Sequence, residues 1–379
     1  MKNNNNYKDS TSQNGGEQVA RKENQGKPYE VIKLGIDWHA DHLRVVRMID
    51  ESGPEPAQRF KHEDFLKWVA RQLSLAAKVY TCYEAGAGGY VLHRQLTEKG
   101  ATNYVVVARK LDPAFKGVQT DRTDARELTQ NLDRYVRGNK KAMQVVRVPT
   151  PEEEQKRALS RQRHQICRHR HAVAAQGCSL LLSQGFRYGH SWWKESVWKE
   201  LLPTLPTWLG EKLATFRRII LVLNQESKTL DQMLTTAALS KPRPKGMGAL
   251  TLETLSREIC DWNRFNNRKG TGSYAGLTGG VSASSDYQVD LPITKAGNPL
   301  VRHLMVELAW RMVYYQRQSK LIQKWRSILL NPTVHRRLRK RAIVAVARQL
   351  TVDIWRWQTG RVTPEQLGWV MMPLSPANN

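Results

Sequence analysis

Acidic residues are scarce in this 379-residue chain: 34 Asp and Glu stand against 60 Lys and Arg, a formal net charge of +26. An enzyme acting on small molecules has no need of that imbalance. A partner with a phosphate backbone does, because each neutralised phosphate releases counterions and adds to affinity. Long apolar runs are missing too. No stretch is long enough to span a bilayer, and the signal-peptide pattern of charged start, apolar stretch and small-residue cleavage site is absent. No membrane partner is therefore expected. Cysteine is sparse: Cys82, Cys167, Cys178 and Cys260 have no paired spacing, the pattern of reduced thiols rather than of a disulfide framework. The expectation is a soluble, cytoplasmic, nucleic-acid-facing protein.

What is present divides along the chain. Residues 1–28 are rich in Asn, Gln, Lys and Gly with almost nothing apolar, so a disordered tail is expected, since burial there cannot offset ordering entropy. Residues 29–149 read as an α/β domain. Val31 to Asp37 is an apolar strand ending in a carboxylate, Leu43 to Ile49 a second strand, Val79 to Glu84 a third that also ends in a carboxylate, and Tyr104 to Val107 a fourth. Helical periodicity separates them at Phe65 to Leu75 and at about Tyr90 to Lys99, and a further helix is expected from about Thr120 to Leu132. Strands alternating with helices after an initial hairpin argue for one mixed sheet. Beyond Pro149 the strand signals disappear. Residues 150–240 read as a helical, coiled-coil-like region, with one long helix from Glu152 to about Ser183 whose arginines give it a basic face. Residues 241–358 read as a further helical domain interrupted by the Gly- and Ser-rich stretch Gly270 to Asp286, and 359–379 as a C-terminal tail.

Four carboxylates stand where a metal site could form. Asp37 and Glu84 end strands, while Asp121 and Asp124 are three apart on the expected helix and so share one of its faces. Taken singly, a strand-end carboxylate is usually a cap, and an Asp pair in a first helical turn usually serves the macrodipole. Converging, they suit a hard, oxygen-liganded ion such as Mg²⁺, and two such ions can clamp both oxygens of a phosphodiester displacement. Gly35-Ile36-Asp37, Tyr83-Glu84-Ala85-Gly86 and Thr120-Asp121-Arg122-Thr123-Asp124 resemble the motifs of the DEDD transposases of the IS110 type. The resemblance implies an RNase-H-like (RuvC-like) N-terminal domain in which Asp37, Glu84, Asp121 and Asp124 are catalytic and bind Mg²⁺. Asp112 and Asp133 match no motif position and are expected at the surface.

A second resemblance lies far along the chain. Tyr274-Ala275-Gly276-Leu277, then a serine cluster, then Ile293-Thr294-Lys295-Ala296-Gly297-Asn298-Pro299 is similar to the C-terminal transposase domain of the same family. There a serine attacks the DNA phosphate, and matching the spacing implies that role for Ser284. The match departs from the family where Thr278-Gly279-Gly280 replaces the usual proline and Ser285-Asp286 replaces glycine, so Ser282 and Ser285 remain rival nucleophiles. A serine hydroxyl is a poor nucleophile at its own pKa and needs activation; the family supplies it by bringing the carboxylate domain of one chain to the serine domain of another, which implies a homo-oligomer, dimer or tetramer. Its partners would be donor and target DNA and a non-coding guide RNA.

Phosphate contacts are expected at Lys295 and Arg302, and at Lys245 in the turn Lys245-Gly246-Met247-Gly248, which resembles a helix-hairpin-helix. They are also expected along a basic run. Between Glu307 and Asp353 there is no acid, whereas eleven Lys and Arg fall there, among them Arg336, Arg337, Arg339 and Lys340. Charge runs are usually solvated faces, but one this long without counter-charge repels itself in the absence of a polyanion. Three patterns are set aside. His164, Cys167, His169 and His171 do not share one helical face and sit among arginines, so zinc is not expected. Gly86-x-Gly88-Gly89 lacks the spacing of a nucleotide loop. Trp192 and Trp193 are more often core than base-stacking residues. The reading is an RNA-guided, nucleoid-associated DNA recombinase of a mobile element; the alternative is a junction nuclease using only the carboxylates and water.

Overall fold

The computed structural model describes residues 26–86, 88–107, 121–284 and 287–373, with backbone alone at 121–123, 281–284 and 287–290. The expected tail up to residue 25, Asp112 and the pair Ser285 and Asp286 lie outside the described residues. The chain divides into two compact units between Val148 and Pro149.

The first unit is built on a five-stranded mixed sheet. Its elements are β1 (Tyr29–Trp38), β2 (Leu43–Ile49), β3 (Gln58–Phe60), α1 (His62–Leu75), β4 (Ala76–Glu84), α2 (Val91–Glu98), β5 (Thr102–Val106) and α3 (Asp121–Val136). Strand order is β3-β2-β1-β4-β5, antiparallel across β3-β2-β1 and parallel across β1-β4-β5. β3 follows the Gly- and Pro-containing stretch Gly53-Pro54-Glu55-Pro56 and was not among the expected strands.

Side chains alternate across a strand, so each face has its own residues. Ile32, Leu34 and Ile36 of β1 join Val79 and Tyr83 of β4 in a core closed by Phe65 and Val69 of α1 and Leu92 and Leu96 of α2. The opposite face carries Cys82 and Val106 and is covered by Leu128 and Leu132 of α3. Lys33 points to that second face. It is 4% exposed and donates to Asp133 Oδ1 and to the Asp50 carbonyl, both at 2.6 Å. Asp133, expected at the surface, is thus the counter-ion of a buried lysine. Burial pushes its carboxyl up, but hydrogen bonds from Lys33 and Arg137 outweigh that and leave its pKa below the ordinary value.

The second unit begins with α4 (Pro151–Ser183), whose start is a capping box: Glu153 N donates to Thr150 Oγ1 at 3.2 Å and Thr150 N to Glu153 Oε2 at 3.0 Å. After α5 (Glu195–Leu201), α6 (Thr207–Thr236) returns alongside α4. The pair is held by Arg163 to Asp231 at 2.7 Å, Arg170 to Asn224 at 2.8 Å and the Cys167–Ser227 contact at 3.3 Å. Part of the basic face expected on α4 is therefore turned inward onto partners within the unit. Trp192 is 1% exposed; its Nε1 donates to the Ala174 carbonyl at 2.9 Å, and Gly177 leaves the space its ring fills.

The remaining elements are α7 (Ala249–Ile259), α8 (Arg268–Tyr274), the antiparallel pair β6 (Gly279–Ser284) and β7 (Tyr287–Ile293), α9 (Pro299–Tyr315), α10 (Lys320–Leu329), α11 (Arg336–Gln358) and α12 (Pro364–Leu367). The hairpin corrects the expectation that strands end at Pro149. Residues 359–373, expected as tail, are packed instead: Val362, Leu367 and Trp369 are buried in the same core as α7, α9 and α11, and Met371 bridges Pro244.

Glu258 on α7 ties this unit together. It is completely buried and accepts from Arg161 of α4 twice (Nε to Oε1 2.9 Å, Nη2 to Oε2 3.1 Å) and from Asn298 Nδ2 at 2.6 Å, with Arg157 at 3.7 Å. Burial raises its pKa, but the bonds from Arg161 and Asn298 and the charges of Arg161 and Arg157 bring it below the ordinary value of 4.5. A carboxyl with a lowered folded pKa contributes stability above its unfolded value and loses it as pH falls through the folded one. Arg161 is half exposed and can be rehydrated, whereas Glu258 cannot. Arg161→Ala leaves that buried carboxylate with Asn298 and the more distant Arg157, and should therefore destabilise the unit by about 2 kcal/mol at neutral pH, the cost of losing charge-assisted bonds. Urea unfolding should show the gap from wild type narrowing as pH falls below about 4.5; a gap independent of pH would mean that packing, not charge, is lost.

Candidate active site

The sheet register decides where the strand-end carboxylates lie. In the parallel pair β1-β4, Gly35 stands beside Cys82, and both face α3: Gly35 N donates to Thr129 Oγ1 at 3.1 Å, and Cys82 Sγ to the Leu128 carbonyl at 3.5 Å. Two residues further along each strand come Asp37 and Glu84, on that same face and at the C-terminal ends. α3 lies so close over β1 that a Cβ on Gly35 would come within 2.5 Å of the Ala125 carbonyl. Asp124 immediately precedes that contact, so it belongs to the end of α3 that points toward Asp37 and Glu84. Asp121 opens the same helix.

Electrostatics reports the same convergence. Glu84 opens to solvent at its tip, yet its pKa is pushed above 4.5, first by the protein mass around the carboxyl and then by the charges of Asp124, Asp37 and Glu127. The buried Cys82 thiol is pushed far up, by burial first and then by the charge of Glu84. A cleft lined by Glu84, Asp124, Glu127, Asn131 and Gln144 opens beside them. Among the described residues, no three acidic, His or Cys side chains close on one point as a finished metal centre.

Two residues join this site that the motifs did not single out. Glu127 continues the three-residue spacing of Asp121 and Asp124 along α3, a signal legible in the sequence. His39 lies beyond the end of β1, and its Nε2 is 3.0 Å from Asp37 Oδ2; nothing in its spacing announced it. The glycines after Glu84 have structural work. A Cβ on Gly88 would strike the Trp38 ring at 2.7 Å, Gly89 has φ +65°, and the Gly89 carbonyl accepts from Tyr83 Oη at 3.0 Å.

The serine segment is a separate construction. Ser284 ends β6, its backbone paired with Tyr287 of β7, and Ser282 pairs with Val289. The base of the hairpin is joined to the Tyr274–Leu277 turn by main-chain bonds: Thr294 N to the Thr278 carbonyl at 2.9 Å, Lys295 N to Gly276 at 3.2 Å and Asn298 N to Tyr274 at 2.7 Å. Gly276 (φ +63°) and Gly297 (φ +152°) let the two backbones touch, and even Lys295 is drawn to φ +55°. Asn298 caps α9 through Leu300 N and Val301 N while its amide donates to Glu258. Arg302, expected to meet phosphate, uses Nη1 to donate to the Ala275 and Lys295 carbonyls at 3.2 and 3.0 Å. Lys295 itself is exposed.

Lys245 is exposed in the turn before α7. In the acid-free run, Arg336, Arg337 and Lys340 are exposed and Arg339 half-buried in the first turns of α11. Cations there face the positive end of the helix dipole, an unfavourable placement, and no acid stands in the first turn of α9, α10 or α11 to offset it.

Residues 243–325 match the family model described as Transposase IS116/IS110/IS902 family. The matched stretch contains Lys245, Ser284, Lys295 and Arg302 but not the start of α11. The chain is 30% identical over 321 residues, 74% of its length and 77% of the relative's, to a protein of Sinorhizobium fredii described as transposase y4rJ. It is 24% identical over 344 residues, 87% and 90% of the two lengths, to the transposase for insertion sequence element IS1111A of Coxiella burnetii. With the sheet, the serine hairpin and these relatives together, the chain belongs to the IS116/IS110/IS902 family of transposases, enzymes of mobile-element DNA recombination.

Proposed function

We propose that this transposase cuts and rejoins DNA through a serine-phosphate link, with Asp37, Glu84, Asp121 and Asp124 as the ligands of Mg²⁺ in an RNase-H-like (RuvC-like) first unit. The observation that carries the reading is the gathering of Asp37, Glu84 and Asp124 on one face at the strand ends, where the charges of Asp124 and Asp37 add to burial in raising the pKa of Glu84. Like charges held together are costly unless a cation joins them. The donor set is all oxygen, as a hard divalent ion prefers, and transposases of this kind generally use a divalent metal. When bound, the ion would polarise the phosphodiester and steady charge on the attacking and leaving oxygens.

In the proposed step Ser284 Oγ loses its proton and attacks phosphorus. A P–Oγ bond forms as a strand P–O bond breaks, and the freed strand end leaves as a hydroxyl. Reversal with a different strand end rejoins DNA without loss of a phosphodiester. Lys245, Lys295, Arg302 and the start of α11 (Arg336, Arg337, Arg339, Lys340) would hold phosphates. A guide RNA would select the sites, and a homo-oligomer at the nucleoid would be the working form.

The metal part is checked without activity. A raised folded pKa means that the ionised form of Glu84 costs stability, a cost that appears as pH rises above about 4.5. Metal-free Glu84→Gln should therefore melt at or above the wild-type temperature at neutral pH and lose that advantage in acid. Added Mg²⁺ or Mn²⁺ should stabilise the wild type and have little effect on the variant. Equal stabilisation of both would remove Glu84 from the site.

The chemical part is checked on a denaturing gel after incubation with Mg²⁺, the element's own transcript and donor DNA. Protein-linked DNA should form with wild type, vanish with Ser284→Ala and persist with Ser285→Ala, while Asp37→Ala should lose cleavage yet still bind DNA. Cleaved DNA without any adduct would favour a water-using nuclease.

The basic run is checked by salt. Each phosphate contact adds about 0.9 to the slope of log affinity against log salt. Replacing Arg336, Arg337, Arg339 and Lys340 by Gln should flatten that slope by up to about 3 to 4 units. An unchanged slope would place the DNA elsewhere.

A further inference from the structure

Helix α9 ends in a row of aromatic side chains that neither the serine hairpin nor the start of α11 uses. Tyr314 is 66% exposed, Tyr315 46% and Trp310 40%. Trp310 and Tyr314 are one turn apart on a single face. The rings of Tyr314 and Tyr315 meet edge to face, their centroids 4.8 Å apart, and the Arg317 guanidinium lies 5.7 Å from the Tyr314 centroid. Tyr315 rests on the turn before α7, so closely that a Cβ on Gly246 would be 3.0 Å from its ring. Arg311 reaches the same turn at Gly248, and Lys245 is exposed beside it.

This ledge is held in place before anything binds. Gln316, 1% exposed, donates through Nε2 to the Lys245 and Val370 carbonyls, both at 2.8 Å, and accepts from Val370 N at 2.9 Å. Helix end, turn and C-terminal segment are thereby fixed to one another, and rings already in position lose little freedom on binding.

Exposed aromatic rings suit either a protein partner or unpaired bases. Charge separates the two. The cations around the ledge are Lys245, Arg311 and Arg317, while α9 carries a single carboxylate, Glu307. Stacked rings set among cations are the means by which proteins hold single strands, since every base offers a π-face and every nucleotide a phosphate. In a duplex those π-faces are covered by neighbouring bases, and cutting or exchanging strands uncovers them. We propose that Trp310, Tyr314 and Tyr315 stack the bases of an unpaired DNA strand, with Lys245, Arg311 and Arg317 on its phosphates. The proposal rests on the DNA-binding reading above and adds to it a site for the opened strand.

The test compares the full-length wild type with Tyr314→Ala, Tyr314→Phe and Trp310→Ala on single-stranded oligo(dT), oligo(U) and duplex DNA of the same length. Each alanine variant should bind oligo(dT) about tenfold more weakly, with duplex affinity unchanged and Tyr314→Phe close to wild type. Photo-crosslinking of oligo(dT) carrying 5-iododeoxyuridine should map to Tyr314 or Trp310. A wild type that binds no DNA would sink the DNA-binding reading itself. Normal DNA binding with no loss in the alanine variants would overturn the ledge alone, as would an equal loss on duplex. Loss confined to oligo(U) would assign it to RNA, against the proposal. Should an alanine variant melt early, the crosslink map on wild type decides.

Discussion

The acidic cleft depends on how closely α3 approaches the sheet. Gly35 has no side chain, and the Thr129 hydroxyl takes the space where one would stand, accepting from Gly35 N and lying 3.1 Å from the Val46 carbonyl. Any Cβ there would lift the helix and carry Asp121 and Asp124 away from the strand ends. The buried Lys33–Asp133 pair fixes the other end of the same helix against the same strand. Position along β1 therefore translates into function in order: an ion pair at Lys33, a close approach at Gly35, a carboxylate at Asp37. Packing of this kind resists the mutual repulsion of Asp37, Glu84 and Asp124, and so preserves a charge arrangement that the folded chain alone would not favour.

The second unit answers a similar geometric demand with a different device. The turn at Tyr274–Leu277 and the segment Thr294–Asn298 touch backbone to backbone, which needs glycine at 276 and 297. Main-chain bonds alone would leave the capping amide of Asn298 to rotate. Glu258 prevents this by accepting from Asn298 while Tyr274 Oη donates to the Glu258 carbonyl at 2.7 Å. One buried carboxylate thus fixes the base of the serine hairpin, the start of α9 and the flank of α4. Arg302 serves the same construction, its Nη1 donating to the Ala275 and Lys295 carbonyls on the two touching segments.

Much of this was legible in the sequence where a periodic pattern met a chemical one. Apolar runs ending in Asp37 and Glu84 gave away two strands together with their carboxylate ends, and the Pro-free stretch from Glu152 to Ser183 gave away α4. What stayed hidden depends on contacts distant in the chain. Glu258 meets Arg161 from 97 residues away, and Asp133 meets Lys33 from 100; no local spacing announces either. The β6-β7 hairpin was read as a Gly- and Ser-rich break because its strands are short and their composition favours turns. Residues 359–373 looked like tail because Val362, Leu367 and Trp369 are too few to show a period, yet each is buried in a core assembled from α7, α9 and α11. Glu127 is different in kind: it stands three residues after Asp124 on the same helix, a local spacing that the sequence does carry.

The distribution of compensated charge sets the residues that tie elements together apart from those the proposed function uses. Asp133, Asp231, Glu253 and Glu258 each have a Lys or Arg within 3 Å, each pair inside one unit. The charges that act on Glu84 are of its own sign, and the cations opening α11 face a helix end of theirs. Neither like-charge contact by itself stabilises the folded chain. On the proposed function each would become favourable when a ligand of opposite charge arrives, a metal ion in one unit and a polyanion in the other. Stability and ligand binding are then linked with opposite requirements in the two units: divalent cations should tighten the first, and nucleic acid the second. On the proposed function, like charges that the fold holds together are where a ligand of opposite charge would bind.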